Sequence, residues 1–276
     1  RRYFSAQLYF KQKNMSLSWP LPKNDPWSTP FAEVLLEHLG IFSGATILDI
    51  ASGGGIPAFN LAEKVGPKGK ILAVDIHHGQ VLRARSILNK NLPWLQFEVG
   101  DMKNLPATLS QFDRITGNLS FMFFRPNRYE ALKQLVRFLK PGGQIVLTFP
   151  SLGTFDSLWK RIDDEMKLRG LIKERKALAE YIEERPSANQ AKDWLKELGM
   201  EKIVVSERSL EIQSGAGREF LEHPLLRGGF LDDAYECFED QALANEFMTA
   251  ISNDLPSFVP LVAQRCAMSG WKPKAI

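Results

Sequence analysis

Cysteine is scarce in this chain, with only Cys237 and Cys266 among 276 residues. Two distant thiols exclude a disulfide framework and a cysteine-built zinc site, and they suit a reducing cytoplasm. Long apolar runs are missing as well. No stretch approaches the roughly 18 residues that a membrane-spanning helix needs, so no transmembrane segment is expected. The start, Arg1-Arg2-Tyr3-Phe4, lacks both the apolar core of a secretion signal and an initiator Met. Charge of one sign is also lacking: 35 Lys and Arg against 32 Asp and Glu leave a formal +3. The densest basic cluster, Lys167, Arg169, Lys173, Arg175 and Lys176, is interleaved with acids. It reads as a solvated helix face, not a nucleic-acid or membrane patch. Histidine is sparse, and no cluster has metal-ligand spacing, so no metal is expected.

What is present is an alternation of strand and helix. Residues 1–30 are rich in aromatics and proline, and the proline spacing excludes a long helix after Ser18. Phe31, Val34, Leu35 and Leu39 then share one face of a short helix. Strands are expected at Ile47–Ile50, Ile71–Asp75, Leu95–Val99, Phe112–Thr116 and Gln144–Phe149, and helices at Pro57–Val65, Val81–Leu88 and Tyr129–Leu139. Lys140-Pro141-Gly142-Gly143 reads as a breaker and turn. Such alternation implies right-handed βαβ units and a parallel sheet. Beyond Pro150 the pattern is less regular. A helix or helix pair is expected over Phe155–Glu184, a helix at Ala188–Leu198, a strand at Glu201–Glu207 and one helix over Asp233–Ser252. A last strand spans Phe258–Met268, with prolines that favour an edge position at its start. The expected organisation is an aromatic and helical cap (1–43), a core (44–150) and a C-terminal part (151–276) that completes the sheet, with insertions at 151–187 and 208–257.

Three signals fall at the ends of successive strands. The first is Leu48-Asp49-Ile50-Ala51-Ser52-Gly53-Gly54-Gly55, a strand running into a glycine turn and then a helix. In a doubly wound sheet this turn lies where ligands bind, and glycine lets the backbone approach them. Taken alone, Gly53-x-Gly55-x-x-Ala58 also fits a dinucleotide fingerprint, or a tight turn without a ligand. The second is Asp75, which can accept both hydroxyls of a ribose or cap the following helix; Ile76 and His77 follow it. The third is Gly100-Asp101-Met102, where Asp101 can face an adenine amine and Met102 its ring, or the segment can be an ordinary turn.

With these residues the chain resembles the seven-strand (class I) S-adenosylmethionine-dependent methyltransferases, in particular the branch with quinone and other small-molecule methylases. The resemblance covers residues 44–150 well and 188–207 loosely. Ile47 to Gly55 looks like the first motif, Asp75 like the ribose-binding acid, and Asp101 like the adenine-side acid. Phe112–Thr116 looks like the fourth strand, and Leu139–Gly143 like the turn before the fifth. The resemblance implies a Rossmann-like α/β sheet of order 3-2-1-4-5-7-6, mostly parallel with the last strand antiparallel. It also implies S-adenosyl-L-methionine as cofactor and S-adenosyl-L-homocysteine as product. The implied cofactor-binding set is Asp49, Ala51, Ser52, Gly53, Gly55, Asp75, Ile76, His77, Gly100, Asp101, Met102 and Asn118. Asp49 would help shape the methionine pocket, or only hydrogen-bond loop amides. Ala51 departs from the glycine that many members carry.

Catalytic candidates are weak: His223, Asn118 and Tyr9. The run Gly117 to Phe124 reads as core packing or as an apolar acceptor pocket. His38 reads as structural, and Arg125-Pro126 as a helix cap. The expected reaction is methyl transfer to a small apolar or aromatic molecule at O, C or N, with residues 151–187 and 208–257 as a helical lid. No nucleic-acid partner is expected, and the chain is a monomer or a homodimer. The alternatives are a cofactor-binding regulatory protein without turnover and an NAD-linked oxidoreductase.

Overall fold

A computed structural model describes residues 20–88, 92–213, 215, 217–222, 231–253 and 260–274. Tyr3, Tyr9 and His223 lie outside the described residues. The chain divides into two compact units. One comprises the chain up to Phe149, Asn189–Ser206 and the chain from Ala267; the other comprises Pro150–Ala188 and Glu207–Cys266.

Seven strands form one sheet of order β3-β2-β1-β4-β5-β7-β6. They are β1 (Thr46–Ile50), β2 (Lys70–Asp75), β3 (Leu95–Val99), β4 (Phe112–Gly117), β5 (Leu139–Pro150), β6 (Glu201–Ile212) and β7 (Leu261–Trp271). The pairs β1–β2, β1–β4, β2–β3 and β4–β5 are parallel. β7 runs antiparallel to β5: Lys272 N–H donates to Gly143 O, and Ser151 N–H to Gln264 O. The order and mixture of directions are those the resemblance implied. Ile47, Leu48, Asp49 and Ile50 are all buried. Burial on both faces explains why this strand reads as a near-continuous apolar run.

Helices α1 (Ser28–His38), α2 (Ala58–Val65), α3 (His78–Ile87), α4 (Arg128–Val136) and α7 (Ala188–Glu197) belong to the first unit. Leu35, Phe59, Leu61, Ala62, Val81 and Ala84 pack with Ile47, Ile71, Phe97 and Val146 in one core cluster. His38 is structural, its Nε2 lying 2.7 Å from Ser206 Oγ. The second unit contributes α5 (Asp156–Leu168), α6 (Ile172–Glu183), α8 (Arg218–Leu221), α9 (Leu231–Glu236) and α10 (Gln241–Ser252).

Several local expectations are corrected. Lys140–Gly143 does not precede β5 but lies within it as a bulge: Phe112 pairs with Leu139, and Arg114 with Gln144. Gly142 supplies the positive φ of 75° that this bulge requires. The helix expected over Asp233–Ser252 is two, because Asp240 caps α10 by accepting from Ala242 N at 2.8 Å and Leu243 N at 3.3 Å. β7 is not at an edge but lies between β5 and β6. Pro260 precedes its first residue, Leu261, so it removes no donor from inside the strand. α1 begins at Ser28, three residues before Phe31, with Asp25 Oδ1 accepting from Ser28 N at 2.7 Å. The cap before α4 is Asn127, whose Oδ1 accepts from Glu130 N at 3.2 Å, and not Arg125-Pro126.

Candidate cofactor site

β1 delivers Asp49 and then enters a turn of unusual backbone. Ala51, Gly53 and Gly55 take φ of 49°, 51° and 97°. Gly55 is required on two counts. Its φ is positive, and a Cβ there would stand 2.7 Å from Phe59 Cδ2 and 3.1 Å from Phe97 Cζ. Gly53 differs, because a Cβ there would meet no described atom within 4 Å. Its N–H donates to Asp75 Oδ2 at 2.7 Å.

Asp75 closes β2 and is held from two sides. Oδ2 accepts from Gly53, and Oδ1 accepts from His77 N at 2.7 Å. His77, and not Asp75, is the N-cap residue of α3, and its side chain makes no cap hydrogen bond, so Asp75 closes the turn before the helix and does not cap it. An ionised carboxylate has about four acceptor positions. One backbone donor per oxygen fixes its orientation and leaves each oxygen able to take a hydroxyl. The side chains of Ile76 and His77 are exposed; at 71%, Ile76 is a large apolar group standing in the open beside this acid.

β3 ends at Gly100-Asp101-Met102. Gly100 N–H donates to Asp75 O at 3.0 Å, tying the ends of β2 and β3 together. Asp101 closes its own turn: Oδ1 accepts from Lys103 N at 2.9 Å, and Oδ2 from Asn104 Nδ2 at 2.7 Å. Met102 is half-buried. It also lines a cleft with Leu105, Leu109, Gln134 and Phe138 that contains neither Asp49 nor Asp75.

Asp49 is buried, and its Oδ1 accepts from Thr116 Oγ1 at 2.6 Å. Its Oδ2 is buried without a partner, as is Ser52 Oγ. Burial pushes the Asp49 carboxyl up to about 7; the Thr116 hydroxyl pulls the other way, and the negative Asp75 pushes further up. A cation brought against it would favour the ionised form.

β4 approaches β1 closely where it ends, since a Cβ on Gly117 would fall 2.7 Å from Ile50 Cγ1. Asn118 is committed at both ends of its amide. Nδ2 donates to Ser28 O at 2.9 Å, and Oδ1 accepts from Thr148 Oγ1 at 2.8 Å. The side chain therefore braces α1, β4 and β5. The aromatic run after it is mostly core: Phe121 packs on Phe124, Phe149 and Trp194 at 5.1, 5.1 and 5.7 Å, and only Phe123 of its phenylalanines is exposed.

Ser28, Thr116 and Thr148 were not singled out from sequence. Thr116 is set beside Asp49 by the β1–β4 register, which the local sequence does not announce. Ser28 and Thr148 likewise had no signal, since their roles exist only once α1 and β5 meet Asn118. Among the described residues no group of His, Cys, Asp or Glu is placed to hold a metal ion, and no helix is long and apolar enough to cross a membrane.

Residues 47–143 match a family described as a methyltransferase domain. That segment carries the likeness to a methyltransferase domain. The demethylmenaquinone methyltransferase of Lactobacillus johnsonii is 27% identical over 219 residues, 76% of this chain and 85% of that protein. The demethylmenaquinone methyltransferase of Lactococcus lactis is 33% identical over 115 residues, spanning 40% of this chain and 44% of that protein. The chain thus spans less than half of this second relative. The YcgJ protein of Bacillus subtilis shares the fold with a TM-score of 0.59 at 16% identity, covering 89% of this chain and 99% of that one. The polar groups at this end of the sheet would fit an adenosyl cofactor. Asp75 has room for two hydroxyls, Gly53 leaves its face clear, and two buried oxygens, Asp49 Oδ2 and Ser52 Oγ, want partners.

Proposed function

We propose that this chain transfers the methyl group of S-adenosylmethionine to a small apolar or aromatic acceptor. The observation that carries the reading is the orientation of Asp75, whose carboxylate is fixed by Gly53 and His77 N–H groups with one acceptor position left on each oxygen. A vicinal diol asks for such a group at the end of the second strand. Ile76 offers an apolar face beside it, and Gly100, Asp101 and Met102 serve the base. Asp49, Ala51, Ser52 and Gly55 shape the amino-acid end, where the buried Asp49 carboxylate answers a positive charge.

The cofactor supplies a methyl on a sulfonium sulfur, electrophilic without further activation. The chain contributes alignment and exclusion of water, and alignment alone is worth about 7–11 kcal/mol at best. No described residue is assigned as a general base, because Asn118 is occupied as a brace. An acceptor that ionises readily suits such a site. The two demethylmenaquinone methyltransferases among the relatives favour a quinol-type aromatic acceptor. A cytoplasmic setting is supported by Cys237 and Cys266, which are both free thiols.

Thermal unfolding with S-adenosylhomocysteine and, separately, with NAD tests the cofactor. At 100 times its Kd S-adenosylhomocysteine should add about 2.7 kcal/mol of stability, and NAD nothing; the reverse result overturns the reading. Methyl-labelled cofactor with a naphthoquinol acceptor tests turnover. Binding without label transfer to any acceptor in a broad panel would point to a regulatory protein instead.

A further inference from the structure

Arg185 follows α6 in the second unit, and only 7% of it is exposed. Its Nη1 donates to Thr154 O at 2.6 Å. Its guanidinium carbon lies 5.2 Å from the Trp159 ring centre and 5.5 Å from that of Tyr181. Trp159 is itself pinned, its Nε1 donating to the same Thr154 carbonyl at 2.9 Å. The other two nitrogens, Nε and Nη2, are buried and have no hydrogen-bond partner. Asp156 and Asp233 favour the charged form through space, but no described carboxylate closes an ion pair with Arg185.

A guanidinium stays charged even when buried, and a buried charge is expensive unless paired. One carbonyl and two ring faces compensate part of that expense. Nε and Nη2 are neighbours on one edge of the guanidinium. Together they form a parallel pair of donors that matches the two oxygens of a carboxylate. Trp159 and Tyr181 lie within 5.2 and 5.5 Å of the guanidinium carbon, so the group's near surroundings are aromatic, which suits the body of an apolar acid.

We propose that Arg185, with Trp159 and Tyr181, is a recognition site for the carboxylate of a small aromatic or apolar acid. The inference goes beyond methyl transfer and does not depend on it. The test uses the whole chain and titrates benzoate, benzamide and inorganic phosphate by calorimetry. Benzoate should bind at least roughly tenfold more tightly than benzamide, the difference expected for a charge-assisted pair. Equal binding of the two overturns the proposal without any variant. Phosphate that displaces benzoate at equal concentration overturns the carboxylate assignment. Arg185→Met should erase the preference for benzoate while leaving the thermal shift with S-adenosylhomocysteine unchanged, which separates this proposal from the cofactor reading. An apolar side chain of similar size commonly tolerates such a site. The variant should therefore melt at or above the wild-type temperature, and a large drop would make Arg185 a structural residue and overturn the site.

Discussion

The two ends of the parallel strands in the first unit treat their polar groups in opposite ways. At the amino end, Asp113 Oδ2 accepts from Thr46 N at 2.8 Å, Thr46 Oγ1 at 2.7 Å and Lys140 Nζ at 3.0 Å. Burial alone would raise that carboxyl, but the Thr46 and Lys140 donors outweigh it and hold it below the usual range. Beside it, Arg114 donates to Gly40 O and Asp113 O, both at 2.6 Å, and stacks on Phe42 and Trp271. Gln144 accepts from Gly40 N and donates to His38 O and Ser269 Oγ. At the carboxyl end, Asp49 and Ser52 each keep a buried oxygen without a partner, and Ala51 and Leu119 take positive φ. Folding alone favours the closed arrangement, because an unpaired buried polar atom costs about 1–3 kcal/mol. The open arrangement is what a ligand completes.

The contrast breaks most sharply at Asp75. Asp75→Ala should lower the affinity for S-adenosylhomocysteine on the order of 100-fold, the loss of two hydrogen bonds to a charged acceptor. Calorimetry measures it, and a loss below threefold would remove Asp75 from the binding site. Gly55→Ala comes next and acts on folding. The left-handed backbone and the collision with Phe59 should together cost about 2 kcal/mol in a denaturant melt. An unchanged midpoint would mean that the turn relaxes freely.

Asp49 and Asp113 then give opposite pH responses. The Asp49 carboxyl, raised to about 7, favours its neutral form in the folded chain. Its burial therefore costs nothing below the ordinary value near 4 and costs fully above 7. Asp49→Asn should stabilise the free protein at pH 8, on the order of 1–2 kcal/mol, and make no difference at pH 4. It should also weaken S-adenosylhomocysteine binding, and wild-type affinity should rise as pH passes 7. Asp113 is the mirror case. Its lowered carboxyl adds stability above the ordinary value, and that stability is lost as pH falls through the folded value. Asp113→Asn should cost about 1 kcal/mol at pH 7, with cofactor affinity untouched. Urea melts across this range measure both, and parallel profiles for the two variants would erase the distinction between the ends.

Much of this was legible in the sequence, for physical reasons. Strands buried on both faces, such as Ile47–Ile50 and Ile71–Val74, leave apolar runs that no loop imitates. Positive φ at Gly53 favours glycine and the crowding at Gly55 requires it, so the turn announces itself. What stayed hidden depends on register and on distant partners. Nothing local says that Thr116 donates to Asp49, that Asn118 braces Ser28 and Thr148, or that Arg185 is buried against Trp159. The bulge at Lys140–Gly143 has the same residues as a turn, and only its pairing with Phe112 and Arg114 tells them apart. The break before α10 rests on one capping acid, Asp240, in a stretch whose apolar spacing suits a single helix.

The smallest effect is at the one position where the turn departs from its resemblance. Ala51 takes φ of 49°. A side chain in the left-handed region costs about 1–2 kcal/mol. Glycine would avoid that cost but lose about 0.5–1 kcal/mol through the greater freedom of its unfolded chain. The difference leaves Ala51→Gly more stable by about 0.5 kcal/mol, within reach of a careful denaturant melt. Cofactor affinity should stay within about twofold, because the backbone path already matches the one glycine would take. A gain in affinity well beyond that would show that the strain at Ala51 opposes binding, and the open end of the sheet would then be held apart by its backbone as well as by its unpaired oxygens.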